Sequence, residues 1–455
     1  MKQINYLIIG AGISGLTTAN ELLDHGVTRD EILVLEANPQ IGGLIQTETK
    51  EGYLTEWGPE GLRGGSENTK RIFEMIDAEP IAVNEEAKIR YIGQGNDIIR
   101  IPSGPLSAVT TKLIPMTGKM RILKEPFVKK NEEDETIAEF VERRLGRHVV
   151  PLIDAFVTGV FGGDPNQLSV RHAFPTMKEI EIEYGNLFPG AIRHAKKKKQ
   201  ELKEEGIEPV KKDKDAPFLL TTKNGMHGIL EALAKNINIE LSNPVKSIKL
   251  GKQIEVETAT DTFQAQHLIV ATGINALQHI EITDGTTKFQ SPKVDEATVM
   301  VVTLGFDPDA FEEKVEGYGF LIPDNEERFL MGTLFSSRLF DFKAPQDQIM
   351  LRCFVGGIRH PDRPEMEQDR ILEQVLADLD DYLGINKPPV FTQFQCHHNR
   401  GIPQLQLGHD QFINWRDKIQ NSYDNIYFSG IGWNAISCDK LIEESRVLVE
   451  TQLIN

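Results

Sequence analysis

The spacing of apolar positions changes repeatedly along the chain, and each change marks an element boundary. Tyr6 to Ile9 is apolar throughout and ends at Gly10; its length suits a buried strand. A 3.6-residue pattern from Leu16 to Leu23 then predicts a helix, and a second apolar run, Ile32 to Leu35, closes on Glu36. Strand, helix, strand is the expectation for this opening stretch.

Further along, Asn68 to Ile76 reads as a helix and Ile89 to Pro102 as a hairpin turning at Gly93 to Asn96. From Leu106 to about Lys214 the pattern is helical, with clear periodicity over Thr136–Leu145 and Val149–Val160. A strand at Phe218–Thr221 and a helix at Gly225–Ala234 return the chain to its first domain. Ile239–Leu241, Val245–Leu250 and Ile254–Thr258 read as β-structure, and His267–Gly273 as a buried parallel strand. Period-2 alternation near Thr298–Gly305, Gly319–Ile322, Arg328–Thr333 and Ile349–Val355 predicts an antiparallel sheet. Arg370–Leu383 is a predicted helix, Tyr427–Gly430 a strand and Asp439–Gln452 a final helix. No repeat appears.

Composition narrows the class. At 455 residues the chain has room for two or three domains. A formal net charge of −18 opposes nucleic acid as partner, because phosphate binding needs a basic surface. Cys353, Cys396 and Cys438 form neither a disulfide framework nor a zinc motif, so a reducing, cytoplasmic setting is expected. The first strand begins without a charged leader, and the longest apolar stretches, such as Ala297–Phe306, are strand-sized. Lys196–Lys199, Glu201–Glu205 and Lys211–Lys214 mix both signs of charge without an aromatic belt and read as a solvated helix and loop.

The chemistry begins at the glycines. Gly10, Gly12 and Gly15 have G-x-G-x-x-G spacing between strand and helix. Gly10 allows the tight turn, Gly12 lets backbone approach a pyrophosphate, and Gly15 lets helix and strand pack closely. With Ile13 and Ser14 they open a helix whose free N–H groups and dipole favour phosphate. Glu36 stands where an acid accepts from a ribose diol. A bound dinucleotide follows. After it comes Gly42-Gly43; here the chain resembles the FAD-containing amine oxidase and desaturase superfamily, whose members carry a second Gly-Gly beyond the ribose acid.

Mid-chain segments sharpen the resemblance. Phe156-Val157-Thr158-Gly159-Val160-Phe161-Gly162-Gly163-Asp164-Pro165 with Leu168 to Pro175 is similar to the central signature of protoporphyrinogen oxidases, particularly plant-type ones. Gly332 to Phe340 with Leu351 to Gly357, Gly401-Ile402-Pro403-Gln404 with Gly408-His409, and Gly58-Pro59 with Gly61 resemble other segments of that family. The likeness runs from Ile8 to about Arg446, apart from the Lys-rich stretch.

The resemblance implies an α/β FAD-binding Rossmann-like domain (1–80, 217–290, 417–455) interleaved with an α+β antiparallel-sheet substrate domain (81–102, 291–416) and a helical, membrane-facing domain (103–216). It implies non-covalent FAD, O2 as acceptor, and six-electron oxidation of protoporphyrinogen IX to protoporphyrin IX with H2O2 as product. Coproporphyrinogen III is the alternative substrate; amine oxidation and a flavin-binding protein without turnover are the competing functions. Peripheral membrane contact and a homodimer are compatible with it.

Residue by residue, Arg90 falls where the family pairs an arginine with a substrate propionate, which suits a planar guanidinium fork. Arg63 is a second cationic candidate near the flavin. Leu321, Leu334 and Phe354 match apolar residues that hold the flat rings; only the resemblance lifts them above core residues. Gly159 matches a glycine whose backbone lies against the macrocycle, so any catalytic role would fall to its carbonyl. For FAD the resemblance adds Gly58, Pro59, Val245, Ala271, Gly273, Gly430 and Ile436. The sequence departs from the family at Ala435, where a glycine is usual, and in the order of Cys438 and Asp439. Cys396 lacks the neighbours of a flavin-linked cysteine and reads as a structural thiol, and His397-His398 as a packed pair.

Overall fold

The computed structural model describes residues 1–104, 107, 110–204, 217–397 and 400–454. The chain divides into two compact units, Met1–Val83 with Pro217–Asp295 and Asp410–Asn455, and Asn84–Ala216 with Glu296–His409.

The first unit is built on a parallel sheet. The strand Lys2–Ile9 lies between Ile32–Leu35 and Thr262–Val270, with Ile8 beside both Val34 and Ile269. Ile239–Glu240 extends one edge and Ile426–Phe428 the other. Side-chain alternation decides the layers. Ile8, Val34 and Ile269 pack with Leu16 and Ala19 of the helix Ile13–Asp24, with Ile229 and Leu233 of Gly225–Ala234, and with Leu441 of Cys438–Leu448. Leu7, Ile9, Leu33 and Leu35 point to the opposite face, against Ile248, Val256, Phe428 and Trp433. This is a Rossmann-like layer arrangement.

The strand beginning near His267 is parallel to Lys2–Ile9 as expected, but its bounds change, and one helix is added. The strand read as His267–Gly273 runs from Thr262 to Val270. Its first half pairs antiparallel with Ile254–Thr258, and only Leu268–Val270 pairs in parallel with Ile426–Phe428. A helix not anticipated, Asp410–Ser422, belongs to this unit, although most of its positions are polar and only Ile419 is fully buried.

The second unit holds a seven-stranded sheet in the order Phe391–Cys396, Val299–Phe306, Ile349–Gly356, Leu330–Leu334, Gly319–Leu321, Tyr91–Gln94, Asp97–Arg100. All its pairings are antiparallel except that of Gly319–Leu321 with Tyr91–Gln94. Val302, Leu304, Phe306, Phe320, Leu351 and Val355 pack beneath Ile371, Val375 and Leu379 of the helix Gln368–Leu383. The other face of the sheet carries the candidate substrate residues.

Residues 103–216, expected as a third domain, join this sheet in one compact unit. The helix Val150–Phe161 is tied to the sheet's end, where Ile358 donates its backbone N–H to the Gly162 carbonyl at 2.7 Å. The helix Ile137–Leu145 starts at a reciprocal cap between Thr136 and Glu139, worth about 1 kcal/mol. The lysine run lies on the helix Phe188–Glu204; Leu106 and Lys211–Lys214 lie outside the described residues.

Candidate active site

Each glycine of the first motif does a separate job. Gly10 sits at φ +105° and donates its N–H to the Leu35 carbonyl at 2.8 Å. A Cβ on Gly15 would stand 1.9 Å from the Gly10 carbonyl oxygen, so only glycine lets the helix lie this close to the turn. Gly12 differs: a Cβ there meets nothing within 4 Å. Gly43 arrives from the second loop with the same openness, its Cβ position meeting only the Gly12 Cα at 3.8 Å. Gly42 holds that loop in place by donating to the Ala11 carbonyl at 2.8 Å.

Two bare backbone segments therefore border one open space at the start of Ile13–Asp24. That helix has no side-chain cap and no acid in its first turn, which leaves the N–H groups of Ile13, Ser14 and Gly15 available to an anion. Glu36 is 6 % exposed and held by three donors: Ala11 N–H at 2.9 Å, Asn38 N–H at 2.9 Å and the Asn38 side-chain amide. A carboxylate offers about four acceptor sites, so a hydroxyl can still be accepted. Asn243 donates to the Glu36 carbonyl at 2.9 Å, which brings buried Val245 beside the acid.

The remaining cofactor candidates gather in the same unit. Gly58 approaches the Leu44 carbonyl so closely that a Cβ would stand 2.7 Å from it, placing Gly58-Pro59 along the Gly42-Gly43 loop. Ala271 donates to Ile9 at 2.9 Å as the sheet ends, and Gly273 follows beside Ile431. Gly430, at φ +103°, would carry a Cβ 2.5 Å from the Thr272 carbonyl. Ile436 is half-buried just past a turn closed by Gly432 N–H to Ala435 O at 2.9 Å, which forms despite the missing glycine at 435. The glycine cradle fits a dinucleotide diphosphate.

In the second unit, register brings the substrate candidates into two adjacent rows. Leu321 lies opposite Gly332, and Gly332 opposite Phe354. Leu334 lies opposite Arg352, whose guanidinium sits 5.4 Å from the Phe354 ring centre. Gly159 comes from the helix Val150–Phe161, and a Cβ on it would strike the Leu321 side chain at 2.4 Å. Arg90 precedes the strand Tyr91–Gln94, the last but one of the sheet; its half-buried guanidinium lies over the Tyr318 ring at 5.2 Å. Arg63 belongs to the first unit, exposed on the short strand Leu62–Arg63.

Four polar residues of this face were not read from the sequence. Arg352 and Thr303 are fully buried, and Gln393 and Gln395 nearly so, in the rows that continue from Leu334 and Phe354. A charged residue within the apolar run Ile349–Val355 is the signal that could have flagged this polar patch. Cys396 packs into the core under Gln368–Leu383, where burial pushes its thiol above the usual range; burial likewise raises Cys353, to about 12. Neither is set up as a nucleophile. Among the described residues no group of His, Cys, Asp or Glu is arranged for a metal, and His398 lies outside them.

Residues 13–435 match the model of the flavin containing amine oxidoreductase family. The chain belongs to this family. FAD is its cofactor, and the glycine cradle of the first unit is where the fold presents room for it. Among relatives of this member, protoporphyrinogen oxidase 2 of Arabidopsis thaliana is 26 % identical across 96 % of this chain and 91 % of its own length. The coproporphyrinogen III oxidase of Staphylococcus aureus is 28 % identical across 97 % of each chain. A crystal structure from Exiguobacterium, provisionally named a protoporphyrinogen oxidase, superposes with a TM-score of 0.76 at 20 % identity, covering 99 % of this chain and 98 % of that one. The family, its flavin and an oxidoreductase activity are thereby established, and porphyrinogen oxidation is the activity its relatives are named for.

Proposed function

We propose that this protein is an oxygen-dependent porphyrinogen oxidase that converts protoporphyrinogen IX to protoporphyrin IX, with coproporphyrinogen III as the alternative substrate. Six electrons and six hydrogens leave the macrocycle, each electron pair reducing one O2 to H2O2. The observation that carries this reading is the apolar wall of Leu321, Leu334 and Phe354, interrupted by Gly332 and backed by Gly159, whose bare face lets Leu321 pack on the helix. A flat macrocycle needs such a wall, because little of its perimeter can hydrogen-bond.

Bound FAD supplies the acceptor for hydride equivalents. Gly12, Gly43 and the first N–H groups of Ile13–Asp24 hold its diphosphate, Glu36 its ribose, the Val245 backbone its adenine, and Gly58, Pro59, Ala271, Gly273, Gly430 and Ile436 the flavin-side path. The wall residues exclude water from the rings, and Gly159 lets backbone approach them. Arg90 pairs with a propionate, with Arg63 as a second cation. The cofactor is held without a covalent bond. The protein works in the cytoplasm or loosely at a membrane: no described helix is long and apolar enough to span a bilayer, yet Phe127, Leu123 and Ile192 stand 88 %, 70 % and 60 % exposed within residues 103–216.

The test offers purified flavoprotein each porphyrinogen in air while porphyrin fluorescence and H2O2 are followed. Rapid fluorescence gain with one of them identifies the substrate. No gain with either, from protein that retains FAD, removes the proposal and moves amine oxidation forward. Within it, Arg90→Ala should raise KM about tenfold, since a charged hydrogen-bond partner is worth about 1.5–3 kcal/mol. Steady-state kinetics checks this, and an unchanged KM takes Arg90 out of the site.

A further inference from the structure

Arg359 lies outside every motif above, yet it joins the helix that carries Gly159 to the turn that follows Leu321. Asp154, Thr158 and Gly162 recur every four residues on one face of Val150–Phe161 and its cap. Arg359 runs along that face, placed by the bond from Ile358 to Gly162. Its Nη1 donates to Asp154 Oδ1 at 2.7 Å and its Nη2 to the Thr158 hydroxyl, with Asp324 Oδ2 at 3.5 Å from Nη1. Asp154 uses its other oxygen to accept the Asp324 backbone N–H at 2.7 Å, and His360 Nε2 is 3.0 Å from Asp324 Oδ1. Asp324 is three residues past Leu321, and Thr158 is next to Gly159. The side chain of Arg359 is only 18 % exposed and its donors are directed by two carboxylates, so the pairing is worth more than a surface ion pair.

We propose that Arg359 is a positioning residue: with Asp154 it keeps the Gly159 backbone packed against the Leu321 side chain, and hence sets where Leu321 stands in the wall that a flat substrate meets. This rests on the porphyrinogen reading of that wall. The guanidinium fork presents separate nitrogens to Asp154 and Thr158, whereas a lysine ammonium would have to serve both from one nitrogen. Loosening the helix costs substrate fit and leaves the flavin cradle untouched, because every cradle residue lies in the other unit.

The experiment compares Arg359→Met, Arg359→Lys, Asp154→Asn and the Asp154→Asn/Arg359→Met double variant as flavin-loaded proteins, with whichever porphyrinogen the wild type oxidises. KM should rise about tenfold in Arg359→Met with kcat within about twofold, Arg359→Lys should recover part of the loss, and the double variant should be no worse than the worse single. Flavin content per folded molecule should stay at the wild-type level. A KM that stays at the wild-type value while the unfolding midpoint falls overturns the proposal, and so do additive effects in the double variant. If Arg359→Met does not fold, Arg359→Lys and Asp154→Asn decide by the same KM criterion. A wild type that oxidises neither porphyrinogen removes the functional reading and this inference with it; an active wild type with unaffected variants removes this inference alone.

Discussion

Gly12→Val should yield a folded, colourless protein, whereas Gly15→Ala should yield a protein that does not fold stably. Both glycines belong to one six-residue motif, so a purely sequence-based view treats them alike. The structure separates them. Gly12 has φ −85° and ψ −173°, an extended conformation that valine adopts readily, and its Cβ meets nothing within 4 Å. The substitution therefore costs the fold within about 0.5 kcal/mol, as at an open surface position. What it fills is the space shared with Gly43, where the diphosphate must approach the backbone. FAD affinity should fall at least about 100-fold, roughly 2.7 kcal/mol. Gly15→Ala instead drives a methyl to 1.9 Å from the Gly10 carbonyl, which only separation of helix from strand can relieve. On the order of 4 kcal/mol or more is expected from such overpacking against rigid backbone. Flavin titration and thermal unfolding of the apoproteins read the two effects separately. Wild-type flavin content in Gly12→Val would show that the open space is not the diphosphate site.

The contrast shows why some of this protein was legible in its sequence. The glycine motif is local: strand, turn and helix follow within a few residues, so spacing alone carries the geometry. The wall is nonlocal. Leu321, Leu334 and Phe354 are apolar residues in strands, and periodicity says only that they point inward. Which layer they face is settled by the pairing of Leu321 with Gly332 and Gly332 with Phe354, from strands far apart in sequence. The strand Phe391–Cys396 escaped notice because Gln393 and Gln395 give it the pattern of a half-exposed edge, yet both glutamines are buried. The helix Asp410–Ser422 was legible and missed: Phe412, Trp415 and Ile419 have helical i, i+3, i+7 spacing among mostly polar positions. Arg359 and Asp154 carry no motif. Their spacing becomes meaningful only once Ile358 docks on Gly162.

Between Glu125 and Glu181, charged side chains form part of an interior, which no motif in the sequence announces. Arg143, Arg144 and Lys178 face Glu125, Glu135 and Glu181, three cations against three carboxylates, with Arg144 and Lys178 no more than 1 % exposed. Lys178 Nζ reaches Glu135 at 2.9 Å, Glu181 at 3.2 Å and the Asn131 carbonyl at 2.8 Å. Lys178→Met keeps most of the volume and removes the charge, leaving Glu135 and Glu181 buried with one cation fewer. Breaking a buried network on one side costs about 3–5 kcal/mol, against about zero for replacing both partners with matched apolar groups.

The unfolding midpoint of the second unit should accordingly fall by about 6 °C or more, and Glu135→Gln combined with Lys178→Met should lose less than the sum of the singles. The pH dependence has a definite sign. Burial alone would raise the Glu135 carboxyl, but hydrogen bonds from Arg143 and Lys178 outweigh it and hold the group below its ordinary value. A carboxylate so depressed adds stability above its unfolded pKa of about 4.3, and that contribution is lost as pH falls through the folded value. Removing Lys178 takes away one of the two donors, so Glu135 protonates at higher pH and the acid limb of the stability curve moves toward neutrality. Urea unfolding from pH 7 down to pH 4 reads the shift. A variant as stable as wild type, with its acid limb in place, would mean that Arg143 and Arg144 neutralise both carboxylates and that the network closes without Lys178.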